Sequence, residues 1–157
     1  MSDSTPSSKN DPIYADRLSG EVFSNAGIMV NAYLARYAAK PGAEVPVLDE
    51  SGYAQLQHGN AFVGINVLED RGVLMIFAPV MPVPVTGLEA LYRRLLELSF
   101  VATSDAAFAI DGTRDEVVVR CLRRLSALDY EEFEDLVATV SQVADIYHEQ
   151  LRREFGR

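Results

Sequence analysis

Residues 53–78 read YAQLQHGNAFVGINVLEDRGVLMIFA. Three short runs rich in β-branched and aromatic residues, 53–57, 61–68 and 73–78, are separated by His58-Gly59-Asn60 and by Glu69-Asp70-Arg71-Gly72. Short β-rich runs joined by glycine-containing loops of this length predict an antiparallel meander. A sheet with one wet face should alternate apolar and polar residues, and these runs do not. Ala61, Val63, Ile65 and Val67 share one face of the second run, with Phe62 and Leu68 on the other; in the third, Val73, Met75 and Phe77 oppose Leu74, Ile76 and Ala78. Either helices cover both faces of the sheet, or the remaining apolar face meets a second copy of the chain or another polypeptide.

Before the meander, the spacing predicts a helix from Asp11, as N-cap with Pro12 in its first turn, to Ala39, closed by Lys40-Pro41-Gly42. Leu18, Val22, Met29, Tyr33 and Tyr37 form one apolar row, and Phe23, Ala26, Val30 and Leu34 a second; Gly20 and Gly27 weaken the helix and predict a break or bend near residues 24–27. Residues 1–11 are too polar to offset their ordering entropy and are read as a disordered tail, leaving residues 12–157 as one domain. After the meander, Pro79, Pro82 and Pro84 predict an extended linker. Thr86 with Glu89 makes a capping box for a middle helix, with Leu88, Leu91, Leu95 and Leu98 on one face and Tyr92 and Leu96 beside it. Two strands, 106–110 and 116–122, flank the turn-forming residues 111–115. Asp129 and Glu132 form a second capping box, and Leu128 and Phe133 a hydrophobic staple, for a last helix that keeps its apolar spacing to Leu151. The order α-β-β-β-α-β-β-α is that of an α+β fold, an antiparallel sheet with packed helices.

The 157 residues carry 14 Lys and Arg against 23 Asp and Glu, a net charge of −9, which disfavours nucleic acid and anionic membrane surfaces as partners. Hydrophobic residues make up 48%, enough for one domain with its own core and no staple. The single cysteine, no signal-like start and no long apolar run are the pattern of a cytoplasmic protein.

Catalytic signatures are absent from the sequence: no phosphate-cradling glycine loop, no G-x-S-x-G and no H-E-x-x-H. His58 and His148 read as ordinary surface residues. Cys121 follows Arg120, which would lower its pKa, but a strand position favours a small half-buried hydrophobe. Asp105, Asp111 and Asp115 flank a turn, which explains them better than a cation does. Asp129, Glu131, Glu132, Glu134 and Asp135 sit where a helix dipole favours anions, as a solvated helix start or a contact for a basic partner. Arg93, Arg94, Arg120, Arg123 and Arg124 are placed to pair with these acids. The expectation is no enzyme, no metal and no cofactor.

Four segments resemble the Tir/CesT-type family of type III secretion chaperones and the related YbjN-type domains: GVLMIFAPVMPVP (72–84), GLEALYRRLLELSF (87–100), AAFAIDGTRDEVVVRCLRRL (106–125) and LDYEEFEDLVATVSQVADIYHEQL (128–151). The resemblance implies a small, acidic, non-enzymatic bacterial homodimer. It would hold a polypeptide segment, from a secreted effector or a regulatory protein, on apolar grooves of the first helix and the sheet. The residues implied for partner binding are Leu18, Val22, Phe23, Phe62, Val63, Ile65 and Met75, and for the dimer contact Leu91, Tyr92, Leu95 and Leu98. The YbjN-type alternative is a regulatory or scaffold module that binds a folded partner.

Overall fold

The computed structural model describes residues 13–39, 41–59 and 61–156. A two-stranded hairpin, β1 (Tyr14–Ala15) and β2 (Val22–Phe23), precedes α1 (Ala26–Tyr37). The strands β3 (Tyr53–His58), β4 (Ala61–Leu68) and β5 (Val73–Pro82) follow, then α2 (Leu88–Val101), β6 (Ala107–Asp111), β7 (Glu116–Arg124) and α3 (Tyr130–Phe155). The five longer strands form one antiparallel sheet in the order β3-β4-β5-β7-β6. The α+β reading and its element order therefore hold, with the hairpin added in front. The expected tail and the helix start at Asp11-Pro12 lie outside the described residues.

The first helix breaks within the expected window, and only the helix before the break is corrected. Asn25 in extended conformation accepts a hydrogen bond from the Ile28 amide (2.9 Å) and so starts α1 afresh. Upstream, the Asp16 carboxylate accepts the Leu18 and Ser19 amides and Gly20 takes a left-handed φ of 75°, which folds the chain back as a hairpin. Leu18 and Val22 are consequently on the hairpin and its turn, not on a helix.

The proline linker is corrected too. β5 continues to Pro82 because β4 pairs with it only as far as Phe77, leaving the later residues bonded to β7 alone. A strand with one partner tolerates a missing N–H. The register slips between Pro79 and Met81, and the Val80 carbonyl there is bonded by His148 Nδ1 on α3 (2.7 Å). His148 is thus a half-buried clamp on the bulge rather than a free surface residue. α2 starts one residue later than the Thr86 box implies: Gly87 is the N-cap, at φ 72°, and no side chain caps it.

One face of the sheet carries the core. Ala54, Leu56, Val63, Ile65, Val67, Leu74, Ile76, Ala78, Val119 and Cys121 are buried against Met29, Val30 and Leu34 of α1 and Phe133, Leu136, Val137 and Val140 of α3. α2 lies along the β6 edge, where Ser99 Oγ accepts the Phe108 amide (2.9 Å). The staple forms as expected: Leu128 and Phe133 are both buried, and Asp129 accepts the Glu132 amide (3.0 Å).

The start of α3 has a second acceptor that sequence reading missed. Asp16 is 2% exposed, and its Oδ2 takes the Tyr130 amide (3.0 Å) across 114 residues of sequence. Burial opposes its ionisation, but the Ser19, Tyr130 and Leu18 amides outweigh that and hold the carboxyl below its ordinary 3.8. Replacing it by Ala leaves these amides without their acceptor, at a cost of about 1–3 kcal/mol near neutral pH. Because the folded-state pKa is depressed, the stability gap between wild type and Asp16→Ala is complete above about pH 5 and closes as pH falls below the unfolded value near 3.9. Urea unfolding of both proteins from pH 7 to pH 3 checks this.

Candidate apolar binding faces

The opposite face of the sheet has no helix over β3, β4 and β5 among the described residues. Strand alternation puts Tyr53, Gln55 and Gln57 of β3, Phe62, Gly64 and Asn66 of β4, Met75 and Phe77 of β5 and Arg120 and Leu122 of β7 on it. Phe62 is 57% exposed, and Tyr53, Met75 and Phe77 are half-buried. The centre is flat because Gly64 has no side chain: a Cβ there would stand 2.5 Å from the Phe77 ring. Phe77 lies over the glycine with Tyr53 beside it, ring centroids 6.3 Å apart. Asn66, opposite both Tyr53 and Met75, keeps Oδ1 buried with no hydrogen-bond partner among the described residues.

The residues implied for partner binding therefore divide. Val63 and Ile65 are 0% exposed in the core, and Phe23 is buried against Tyr33. Neighbouring strand residues point to opposite faces, so Phe62 and Val63 cannot line one groove. Phe62 and Met75 remain on the open face; Leu18 and Val22 are exposed on the hairpin. Tyr53, Asn66, Phe77 and Leu122 share that face without being among the implied residues, and the parity of Phe62, Met75 and Phe77 in the sequence signals it.

A second apolar surface lies on α2. Leu91, Leu95 and Leu98, the leucines implied for the dimer contact, turn inward and are buried in the protomer; Tyr92 stays half out, with Leu96 (74% exposed) and Phe100 (90% exposed) one and two turns on. The sequence holds both rows, and the resemblance implies the inner one where the structure exposes the other.

The titratable groups serve structure. Burial pushes the Cys121 thiol up to about 11, so it is a core residue and not a nucleophile. Tyr130 donates to Glu134 (2.9 Å), lies under the Arg36 guanidinium and is pushed up to about 12, by burial first and Glu134 next. Tyr37 shares a hydrogen bond with His58 Nδ1, and burial followed by Glu134 raises its pKa. Arg123 Nε stands 2.6 Å from Glu132 Oε1, close but off the hydrogen-bond direction, and so makes an ion pair. No three His, Cys, Asp or Glu side chains converge as metal ligands among the described residues.

The model of the Tir chaperone protein (CesT) family matches residues 34–146, most of the chain. The chain belongs to the CesT family of type III secretion chaperones. Solved structures share its fold. It is similar to a chain of the ExsC–ExsE complex, at 26% identity and TM-score 0.65 over 78% of this chain and 93% of that one. It is similar in fold to a chain of the HopA1–SchA chaperone–effector complex (12% identity, TM-score 0.63, 79% and 96% covered). The same holds for a chain of ExoU–SpcU from the type III secretion system of Pseudomonas aeruginosa (17%, TM-score 0.58, 77% and 96%). Comparison with curated protein sequences finds no match. Among the described residues, no helix is long and apolar enough to cross a membrane.

Proposed function

We propose that this CesT-family chain, acting through residues 12–157, is a non-enzymatic cytoplasmic chaperone that holds a segment of a secreted effector on the open face of its sheet. The observation that carries the reading is that face itself: Tyr53, Phe62, Met75, Phe77 and Leu122 form an apolar surface that no helix covers among the described residues. An exposed patch of this kind marks a partner site. The neighbours point the same way, since HopA1–SchA is a chaperone–effector complex and ExsC–ExsE a two-component complex. The chain works as a homodimer joined through Tyr92, Leu96 and Phe100 on α2, a stripe separate from the open face. The net charge of −9 keeps a molecule with two apolar surfaces from aggregating.

Peptides selected from a displayed library of random 20-residue segments test the assignment. Phe62→Glu places a charge on the exposed ring position and is expected to weaken their binding at least about tenfold, a loss of about 1.4 kcal/mol, without lowering the melting temperature. Unchanged affinity would move the binding site off this face. Failure of that library to yield a linear binder, where a parallel library of folded domains does yield one, would favour the scaffold reading.

A further inference from the structure

We propose that the bound segment carries an Asp or Glu side chain and that Arg120 is the residue that selects it, so that the open face takes an apolar segment with one acid in preference to a wholly apolar one. The inference rests on the open sheet face being the client site. The sequence sets Arg120 and Arg123 alike beside the acids at the start of α3, and strand parity separates the two. Arg123 pairs with the core residue Leu74 and turns toward α3, where its Nε meets Glu132 Oε1 (2.6 Å). Arg120 pairs with Phe77 of β5 and Ala107 of β6, and so turns to the open face. It is half-buried there. It takes part in none of the ion pairs among the described residues, which join Arg93 to Glu97 and Arg123 to Asp105 and Glu132.

The surroundings of Arg120 are apolar. Besides Phe77 and Ala107 across the ladder, Val118 and Leu122 share its face on β7 itself. The acids of the same parity, Glu116 on β7 and Asp111 opposite it on β6, stand at the far end of the sheet, about 13 Å away at the rise of a strand. The acids at the start of α3 lie behind the sheet, because α3 packs on its other face. The guanidinium is always charged, and on the open face water supplies its hydrogen bonds. A segment laid over the face removes that water, and the donors then need an acceptor. A main-chain carbonyl would accept a bond but leave the charge uncompensated. A carboxylate answers both needs, with two oxygens that match the planar fork and with the opposite charge. The pair strengthens as apolar neighbours close around it and the local dielectric falls. A segment with no acid leaves the guanidinium dry and unpaired, and that penalty rejects it. The net charge of −9 favours one acid over a run of acids, which the chain as a whole would repel.

Measurements on the full chain test the assignment, with library-selected 20-residue peptides as the probe, each amidated at its C-terminus so that only side chains supply carboxylates. Selection is expected to enrich Asp or Glu at one position among apolar residues. Changing that acid to Asn or Gln should weaken binding to wild type about tenfold and to Arg120→Gln no further. Arg120→Glu is expected to melt like wild type, since the side chain makes no ion pair among the described residues, and to select Lys or Arg at the same position. Lost packing would weaken every peptide alike, so the reversal of preference reports a direct pair. Peptides with no acidic preference, or an acid whose replacement costs Arg120→Gln as much as wild type, overturn the assignment. Loss of the preference in Arg124→Gln, with Arg120→Gln keeping it, would move the contact to the exposed end of β7 and overturn it as well. If Phe62→Glu abolishes binding in these cases, the face stands and only the pair falls. If Phe62→Glu also has no effect, or the library yields no binder, both readings fall.

Discussion

Leu96→Asp is expected to fold like wild type and to scatter light as a 17.3 kDa monomer, and wild type is expected to scatter at twice that mass. Leu95→Asp, one residue earlier, is expected not to fold. The two side chains leave α2 about 100° apart. Leu96 is 74% exposed in the protomer, so a carboxylate there stays hydrated and disturbs only what docks on the helix. Leu95 lies in the core cluster with Leu91 and Leu98, and a carboxylate in its place would be buried with no cation or donor. Unpaired buried charge belongs among the changes that exceed about 4–5 kcal/mol, comparable to the whole stability of a marginal domain. A folded Leu95→Asp monomer would mean that the inner row makes the dimer contact after all. A dimer of undiminished mass for both Leu96→Asp and Phe100→Asp would place the contact off α2.

Phe133→Ala is expected to be the most damaging truncation that still leaves a folded chain. Phe133 is fully buried in the first turns of α3, with Tyr33 (5.9 Å), Tyr37 (6.3 Å) and Tyr130 (6.3 Å) around it. It is at once the staple residue at the start of α3 and the contact between α1 and α3. Phe→Ala in such a core costs about 3–5 kcal/mol, which lowers the melting temperature by roughly 6–20 °C in a domain of this size. A loss under about 1 kcal/mol would mean that the ring cluster repacks around the gap, which a close-packed interior resists.

The elements that were legible in the sequence are those specified by their own local pattern. The last helix was read from its cap, staple and spacing, and all three are present. The meander was read from runs and glycine loops. What was not legible depends on residues distant in the chain. Asp16 caps a helix that begins at Tyr130, and no local signal connects the two. Pro79 and Pro82 belong to a strand only because β4 ends its pairing at Phe77, which is a property of the register. The two apolar rows of α2 look alike in sequence; the β6 edge selects which one is buried. For the binding face, period-two alternation already separated Phe62 and Met75 from Val63 and Ile65, and the structure assigns the first pair to the open side and the second to the core.

Thiol footprinting of the open face addresses the central claim most directly. Cys121 is buried and its thiol is pushed up to about 11, so it gives little background alkylation. Phe62→Cys puts one reactive thiol on the face, and Thr113→Cys puts one on the exposed turn between β6 and β7 as a reference. With a selected peptide at about one hundred times its Kd for the Phe62→Cys variant, alkylation at position 62 should slow about a hundredfold, while position 113 reacts at its unliganded rate. Equal rates at position 62 with and without saturating peptide would contradict the assignment of the open sheet face as the client site.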